Sequence, residues 1–157
     1  MAVRPIPEGY HSVTPYLIVR DAASALDFYA RAFGASERFR MADPSGRIGH
    51  AEIQVGSSIV MLADEYPEME AVGPATLGGS TVGIHLYVED VDATFAAALE
   101  AGAEATRPVA DQFYGDRMGT LRDPFGHNWY VSTHIRDSSP EEVSRHLEAE
   151  EARKALA

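Results

Sequence analysis

The sequence predicts an α+β fold built from two tandem βαβββ units with a helix at the C-terminus. Three observations predict it. An internal repeat aligns Val13-Thr14-Pro15-Tyr16-Leu17-Ile18-Val19-Arg20-Asp21 with Val82-Gly83-Ile84-His85-Leu86-Tyr87-Val88-Glu89-Asp90, placing Val, Leu, Val and Asp in register at a spacing of 69. An aspartate and an amphipathic stretch follow each copy. Three short segments of alternating polarity, divided by Pro/Gly turns, follow each amphipathic stretch.

Both repeated stretches read as strands with Val, Leu and Val on one face. The first helix starts after Asp21 and carries Ala22, Leu26, Tyr29 and Phe33 as one apolar stripe. The second starts at Asp90 or Asp92 and carries Val91, Phe95, Ala98 and Leu99. Gly34 and Gly102 follow the helices, where a left-handed residue is wanted. The expected strands of the first unit are Glu37–Met41, Ile48–Val55 and Ser58–Leu62. Those of the second are Ala103–Val109, Met118–Arg122 and His127–His134, the last two joined by the turn Asp123-Pro124-Phe125-Gly126. The chain thus divides into unit 1 (about 12–64), a Pro/Gly/Glu-rich linker or lid (65–80), unit 2 (about 81–135) and a helix (about 139–156), all in one domain. That last helix opens on Ser139, Pro140 and Glu142, a capping box, and has a thin stripe of Val143, Leu147 and Leu156.

At 157 residues and 45% hydrophobic content, one full core is expected. The net charge of -11 disfavours nucleic acid. No apolar run approaches the roughly 18 residues of a membrane span, and the N-terminus has no apolar signal core. Cysteine is absent, which excludes disulfides, thiolate ligands and cysteine nucleophiles. The expectation is a cytoplasmic protein with no nucleic-acid or membrane partner.

The duplicated unit, the Asp-capped helices and the DPFGH turn resemble the vicinal oxygen chelate superfamily, which includes glyoxalase I, bleomycin-resistance binding proteins, fosfomycin-resistance enzymes, methylmalonyl-CoA epimerase and extradiol dioxygenases. The segments VTPYLIVRD, GHAEIQVGSSIVMLADE and DQFYGDRMGTLRDPFGHNWYVSTH look most like its glyoxalase-like branch. The resemblance covers about residues 12–135. It implies that each unit curves into a half-barrel, that the two face each other around a small-molecule cavity, and that the chain forms a homodimer, with units paired within one chain or between two.

Alternation then sorts the strand residues. Thr14, Tyr16, Ile18, His50, Glu52, Gln54, Ile59 and Met61 face the cavity from unit 1. Gly83, His85, Tyr87, Thr120, Arg122, Asn128, Tyr130 and Ser132 face it from unit 2, with Trp129 in the core. The resemblance implies a divalent metal held at Thr14, Met61, Gly83 and Tyr130. Glycine has no donor and methionine is too soft for such a site, so no cofactor is expected there. A displaced metal at His50, Glu52 and His85 is the alternative. Without metal, His50 is a candidate general base oriented by Glu52. Arg122, taken as the repeat partner of Glu52, either pairs with it or holds a ligand anion. Phe113 and Tyr114 either close over a ligand or cover the core edge, with Asp116 and Arg117 as a local ion pair. Tyr16, Met61, His85, Tyr87, Phe113, Tyr114, Arg122 and Tyr130 are the expected ligand contacts. The leading function is binding of a partly aromatic ligand. A glyoxalase-like lyase or isomerase using His50 or a displaced metal is the alternative, and a non-catalytic dimeric scaffold is the third.

Overall fold

The structure is a computed structural model that describes residues 3–155. Unit 1 comprises β1 (Tyr16–Val19), α1 (Ala22–Phe33), β2 (Ser36–Ala42), β3 (Ile48–Val55) and β4 (Ser58–Asp64). The linker holds a 3-10 turn (Pro67–Met69) and a short helix, α2 (Pro74–Leu77). Unit 2 comprises β5 (Gly83–Tyr87), α3 (Val91–Glu100), β6 (Glu104–Asp111), β7 (Asp116–Arg122) and β8 (Asn128–His134), and α4 (Pro140–Ala155) follows. The sheets have the same topology, β1-β4-β3-β2 and β5-β8-β7-β6. In each, the first strand runs parallel to the last and the other pairs are antiparallel.

The caps follow the sequence. The Asp21 carboxylate accepts from Ser24 N at 3.0 Å, and Asp90, rather than Asp92, accepts from Ala93 N at 2.9 Å. Gly34 takes the left-handed conformation at φ 64. The repeat extends to a second tie at each helix start. Ala22 N donates to Asp64 at 2.7 Å, and 69 residues on Val91 N donates to the Thr133 hydroxyl at 2.9 Å. Ser139 and Glu142 form the reciprocal capping box of α4. No α4 residue is buried among those described, and Leu156 of the expected stripe lies outside the described residues.

Helices α1 and α3 pack on each other and on one face of their own sheets. Ala22, Leu26, Tyr29, Val91, Phe95 and Ala98 are buried, and Phe33 packs against this core. Leu99 corrects the expected α3 stripe: it sits at the helix end and is exposed, so the stripe is Val91, Phe95 and Ala98. Leu17, Val19, Ala51, Ile53, Val60 and Leu62 supply the core face of sheet 1, and Leu121, Trp129 and Val131 that of sheet 2. The two units therefore share one core.

Asp123 joins them. It is buried, and its carboxylate accepts from Tyr29 Oη at 2.6 Å, Trp129 Nε1 at 2.9 Å, Phe125 N at 3.0 Å and His127 N at 2.9 Å. Burial, then the Asp123 charge, pushes the Tyr29 phenol well above its ordinary range and keeps it a donor. Across the same junction His127 Nε2 contacts Ile18 O at 3.1 Å.

Replacing the carboxylate strands four donors, two of them side chains from different units. Asp123→Ala is expected to cost about 3 kcal/mol or more in urea unfolding, because unpaired buried donors retain their desolvation cost. Tyr29→Phe, which leaves Asp123 three donors, should cost only about 1–2 kcal/mol.

Candidate functional site

Among the described residues, the face of each sheet opposite its helix carries no covering helix, and aromatic side chains stand on it. Tyr16 is 47% exposed, Phe39 48%, Met41 54%, Tyr87 59% and Tyr130 39%, well beyond what residues of this size show in a filled barrel.

On sheet 1 the cross-strand register sets Tyr16, Met61, Glu52 and Phe39 in one row, with His50 and Met41 in the next. Phe39 and Met41 enter this face through a bulge in β2, which alternation alone does not show. The polar groups form a chain. Glu52 accepts from the Tyr10 hydroxyl and lies 3.2 Å from His50 Nε2, and His50 Nδ1 lies 3.0 Å from the Tyr16 hydroxyl. A carboxylate only accepts, so the neutral imidazole carries its proton on Nε2 and Nδ1 accepts from Tyr16. The hydrogen bond from Tyr10 chiefly holds Glu52 below the usual carboxylate range, with His50 adding to it. The same bond raises Tyr10, and burial raises Tyr16. Tyr10 comes from a segment outside the repeat that crosses this face. Arg38 lies over its ring at 5.7 Å, and His11 Nε2 meets Ser57 O at 3.2 Å.

On sheet 2, Tyr130, His85 and Tyr87 form a stacked series, with ring separations of 6.2 and 4.7 Å and interplanar angles of 16° and 25°. Gly83 makes this possible. A Cβ there would stand 2.3 Å from Tyr130 Cε2, so the tyrosine ring occupies the space of a side chain at 83. His85 Nε2 contacts the buried Ser132 hydroxyl at 2.8 Å. Asp116, also buried, accepts from the Tyr87 hydroxyl at 2.8 Å and meets His134 Nδ1 at 2.8 Å.

Several expectations are corrected by this geometry. The register makes Thr120 the counterpart of Glu52 and Arg122 the counterpart of Gln54, two residues from the expected match. Arg122 is exposed at the far end of β7, away from Glu52, and lines cavities of about 480 Å³ beside Glu104 and Asn128 and about 260 Å³ beside Thr120 and Tyr130. Asp116 and Arg117 do not pair. Successive strand residues point to opposite faces, and Arg117 instead binds Asp92 and Asp111 at 2.7 Å each. Tyr114 reaches toward Met118 Sδ at 3.6 Å, and Phe113 meets the Tyr114 ring edge-on at 5.3 Å and stacks on His146 of α4 at 4.4 Å. His85 is on the other sheet from His50 and Glu52, and among the described residues no group of three His, Cys, Asp or Glu side chains converges on a metal position. Of the four positions the resemblance gives to a metal, Thr14, Met61, Gly83 and Tyr130, the last two offer no donor pair: glycine has none, and the tyrosine ring lies over it. This donor set does not fit a hard divalent ion.

No hydrogen bond, ion pair or ring contact among the described residues links the His50 group to the His85 group. The cavity at the unit junction, about 400 Å³, lies between β1, β5 and the linker and includes Tyr16 but neither histidine of the two groups.

His134 provides a pH readout of the sheet 2 face. The hydrogen bond that His134 donates to Asp116, then that to Asp137, raises His134 above its ordinary 6.5. Burial pushes Asp116 up, but the bonds from His134 and Tyr87 outweigh it and leave Asp116 below its ordinary 3.8. The raised histidine stabilises fully below 6.5 and loses its contribution as pH rises through the folded value. The lowered aspartate stabilises above 3.8 and loses its contribution as pH falls through its folded value. Both contributions are present between these limits. In an NMR titration His134 should have its midpoint above 6.5, and Asp116→Asn should move it down.

Comparison with known proteins agrees with the architecture. A curated relative, the uncharacterized protein Rv0887c of Mycobacterium tuberculosis, is 44% identical over 135 residues, which are 84% of this chain and 79% of the relative. Mb0911c of Mycobacterium bovis, also uncharacterized, is 44% identical over 84% of this chain and 89% of its own length. Among solved structures, TioX from Micromonospora sp. ML1 is 30% identical with a TM-score of 0.63, the match covering 80% of this chain and 99% of that one. A glyoxalase/bleomycin resistance protein/dioxygenase family enzyme from Burkholderia phytofirmans PsJN, at 19% identity and TM-score 0.61, shares the fold over 76% of this chain and 95% of its own. The sequence signature of the Glyoxalase/Bleomycin resistance protein/Dioxygenase superfamily matches residues 9–131. The chain belongs to that superfamily.

Proposed function

We propose that this protein binds a flat, partly aromatic small molecule on its open sheet faces, in the manner of the binding members of its superfamily and without the usual four-ligand metal site. The exposed Tyr130–His85–Tyr87 stack is the observation that carries this reading. A planar ligand continues such a series by offset stacking, and the hydroxyl and imidazole edges supply a few directed polar contacts. The net charge of -11 favours a neutral or cationic ligand over an anion. A second copy of the chain completes the site, the unit 1 face of one protomer meeting the unit 2 face of the other. Two open, aromatic-bearing faces per chain favour that arrangement over a monomer.

The test is a thermal-shift screen of neutral and cationic aryl compounds, followed by titration of the hits and light scattering of the free protein. Hits should bind equally with and without EDTA and lose about tenfold in affinity in Tyr87→Ala or Tyr130→Ala, the effect of one lost ring contact. A dimer should be the resting state. Aryl ligands whose affinity ignores both substitutions, or that require a divalent ion, would overturn this reading.

A further inference from the structure

Part of the open face of unit 1 is covered by the chain itself. By alternation Ile59 belongs to the open side of sheet 1, yet it is only 2% exposed and takes no part in the shared core. The segment before β1 accounts for this. Pro7, Glu8, Gly9 and Tyr10 form a turn closed by Tyr10 N on Pro7 O at 3.2 Å, with Gly9 in the left-handed region at φ 83. A Cβ at Gly9 would stand 3.9 Å from Ile59 Cδ1 and 3.6 Å from an Arg38 guanidinium nitrogen, so the turn lies against this face. Glu52 accepts the Tyr10 hydroxyl, and Arg38 stands over the Tyr10 ring.

The fold does not require this cover. Register alignment of the two sheets places His85 where Tyr16 stands, Met118 where His50 stands and Thr120 where Glu52 stands, and sheet 2 forms with the same topology. There the Thr120 hydroxyl meets Thr106 Oγ1 at 2.7 Å, with no tyrosine from outside the repeat. The attachment of the cover is by side chains. Among the described residues, no backbone hydrogen bond joins residues 3–12 to sheet 1, and the polar ties are Tyr10 on Glu52, Arg38 on Tyr10 and His11 on Ser57 O. A tyrosine held in this way is a small aromatic molecule on a tether. It shows what the face recognises: a ring beside a guanidinium, with a donor at its end for a carboxylate that only accepts.

We propose that Tyr10 is a built-in occupant of the unit 1 face, displaced by a neutral aromatic compound whose ring carries a hydrogen-bond donor for Glu52. The inference rests on the binding reading and gives this face its ligand class and its regulation. The Glu52 charge repels an anion such as a phenolate, and Arg38 repels an aryl cation, so a neutral donor is selected. Tyr16, Phe39 and Met41 stay half-exposed with Tyr10 in place, and give an incoming compound apolar contact beyond that of the tyrosine. The tether sets the threshold for entry. Apparent affinity is the intrinsic affinity scaled down to the fraction of molecules whose Glu52 is free of Tyr10.

The experiment uses the full chain and 4-methylphenol, the tyrosine side chain without its backbone. The control is 4-methylanisole, in which the hydroxyl is capped. Binding is titrated by NMR on the ring signals of His50, which lies 3.2 Å from Glu52. Tyr10→Ala should bind 4-methylphenol about tenfold or more tightly than the wild type, the scale of one charge-assisted hydrogen bond. In that variant 4-methylanisole should bind about tenfold more weakly than 4-methylphenol, and adding Glu52→Gln should remove most of the gain. Tyr10→Phe keeps the ring and frees only the Glu52 acceptor, so it should show a smaller gain in the same direction. A proton spectrum checks the fold of each variant, and Tyr10→Phe decides the matter if Tyr10→Ala fails to fold. Equal affinity in the wild type and the Tyr10 variants overturns this inference alone, as does a gain that 4-methylanisole shares. Failure of 4-methylphenol to move the His50 signals in the variants also overturns it, and the binding reading then stands or falls on the Tyr87→Ala and Tyr130→Ala titrations of sheet 2.

Discussion

The Asp123 carboxylate is the point on which the two units turn. Its four donors come from α1 of unit 1, from residues 125 and 127 of the turn that leads into β8, and from the indole of β8. An ionised carboxylate removed from water is tolerable only when its acceptor sites are filled, and here the filling requires the two units to meet in one orientation. That orientation seats Tyr29 and Phe33 against Trp129, at ring separations of 5.5 and 4.6 Å. Trp129 in turn fixes the phase of β8. With the indole on the core side, Asn128, Tyr130 and Ser132 must point to the other face. The aromatic stack on the open side of sheet 2 is therefore set by a hydrogen-bond cluster on the buried side.

Much of this was legible in the chain because the repeat and the period-2 pattern report the same constraint. Leu17/Leu86 and Val19/Val88 recur at 69 residues because each must sit under a helix, and the ends of β3 were readable because Ala51, Ile53 and Val55 alternate with polar residues up to the Gly56 turn. The caps were readable because an aspartate at a helix start has few other uses there. What alternation could not show was geometry that breaks period 2. The bulge in β2 brings Phe39 and Met41 to the open face, and the match of β3 to β7 depends on the unequal turns that follow them, which put these strands 68 rather than 69 residues apart. Tyr10 was invisible for a different reason. It lies in a Pro/Gly segment outside the repeat, where neither periodicity nor spacing gives a side chain a direction. A tyrosine in such a segment, with an open-face carboxylate two strands further along the sheet order, is the signal it leaves.

The two faces also show how a duplicated scaffold separates folding from chemistry. The residues that must be apolar are those under the helices, and these stay apolar in both units. The open faces carry no such demand, so Tyr16, His50 and Glu52 on one have His85, Met118 and Thr120 as counterparts on the other. One face has become a polar chain in apolar surroundings, and the other a series of stacked rings.

Neither face is fixed by its own unit alone. The Glu52 carboxylate on sheet 1 is held by Tyr10, from the segment before β1. On sheet 2, Tyr87 is held by Asp116, and Asp116 by His134 at the start of the segment that leads into α4. That segment crosses Gly115 so closely that a Cβ there would stand 1.9 Å from Arg136 O, and Ile135 N and Arg136 N both donate to Gly115 O. Phe113 then stacks on His146 of α4. The chain segments on either side of the repeat thus serve as braces, one for each open face. A βαβββ unit supplies a curved sheet with one free side. Side chains on that side are held loosely unless something outside the repeat locks their rotamers. The residues that order the two open faces accordingly include some that lie outside the duplicated fold.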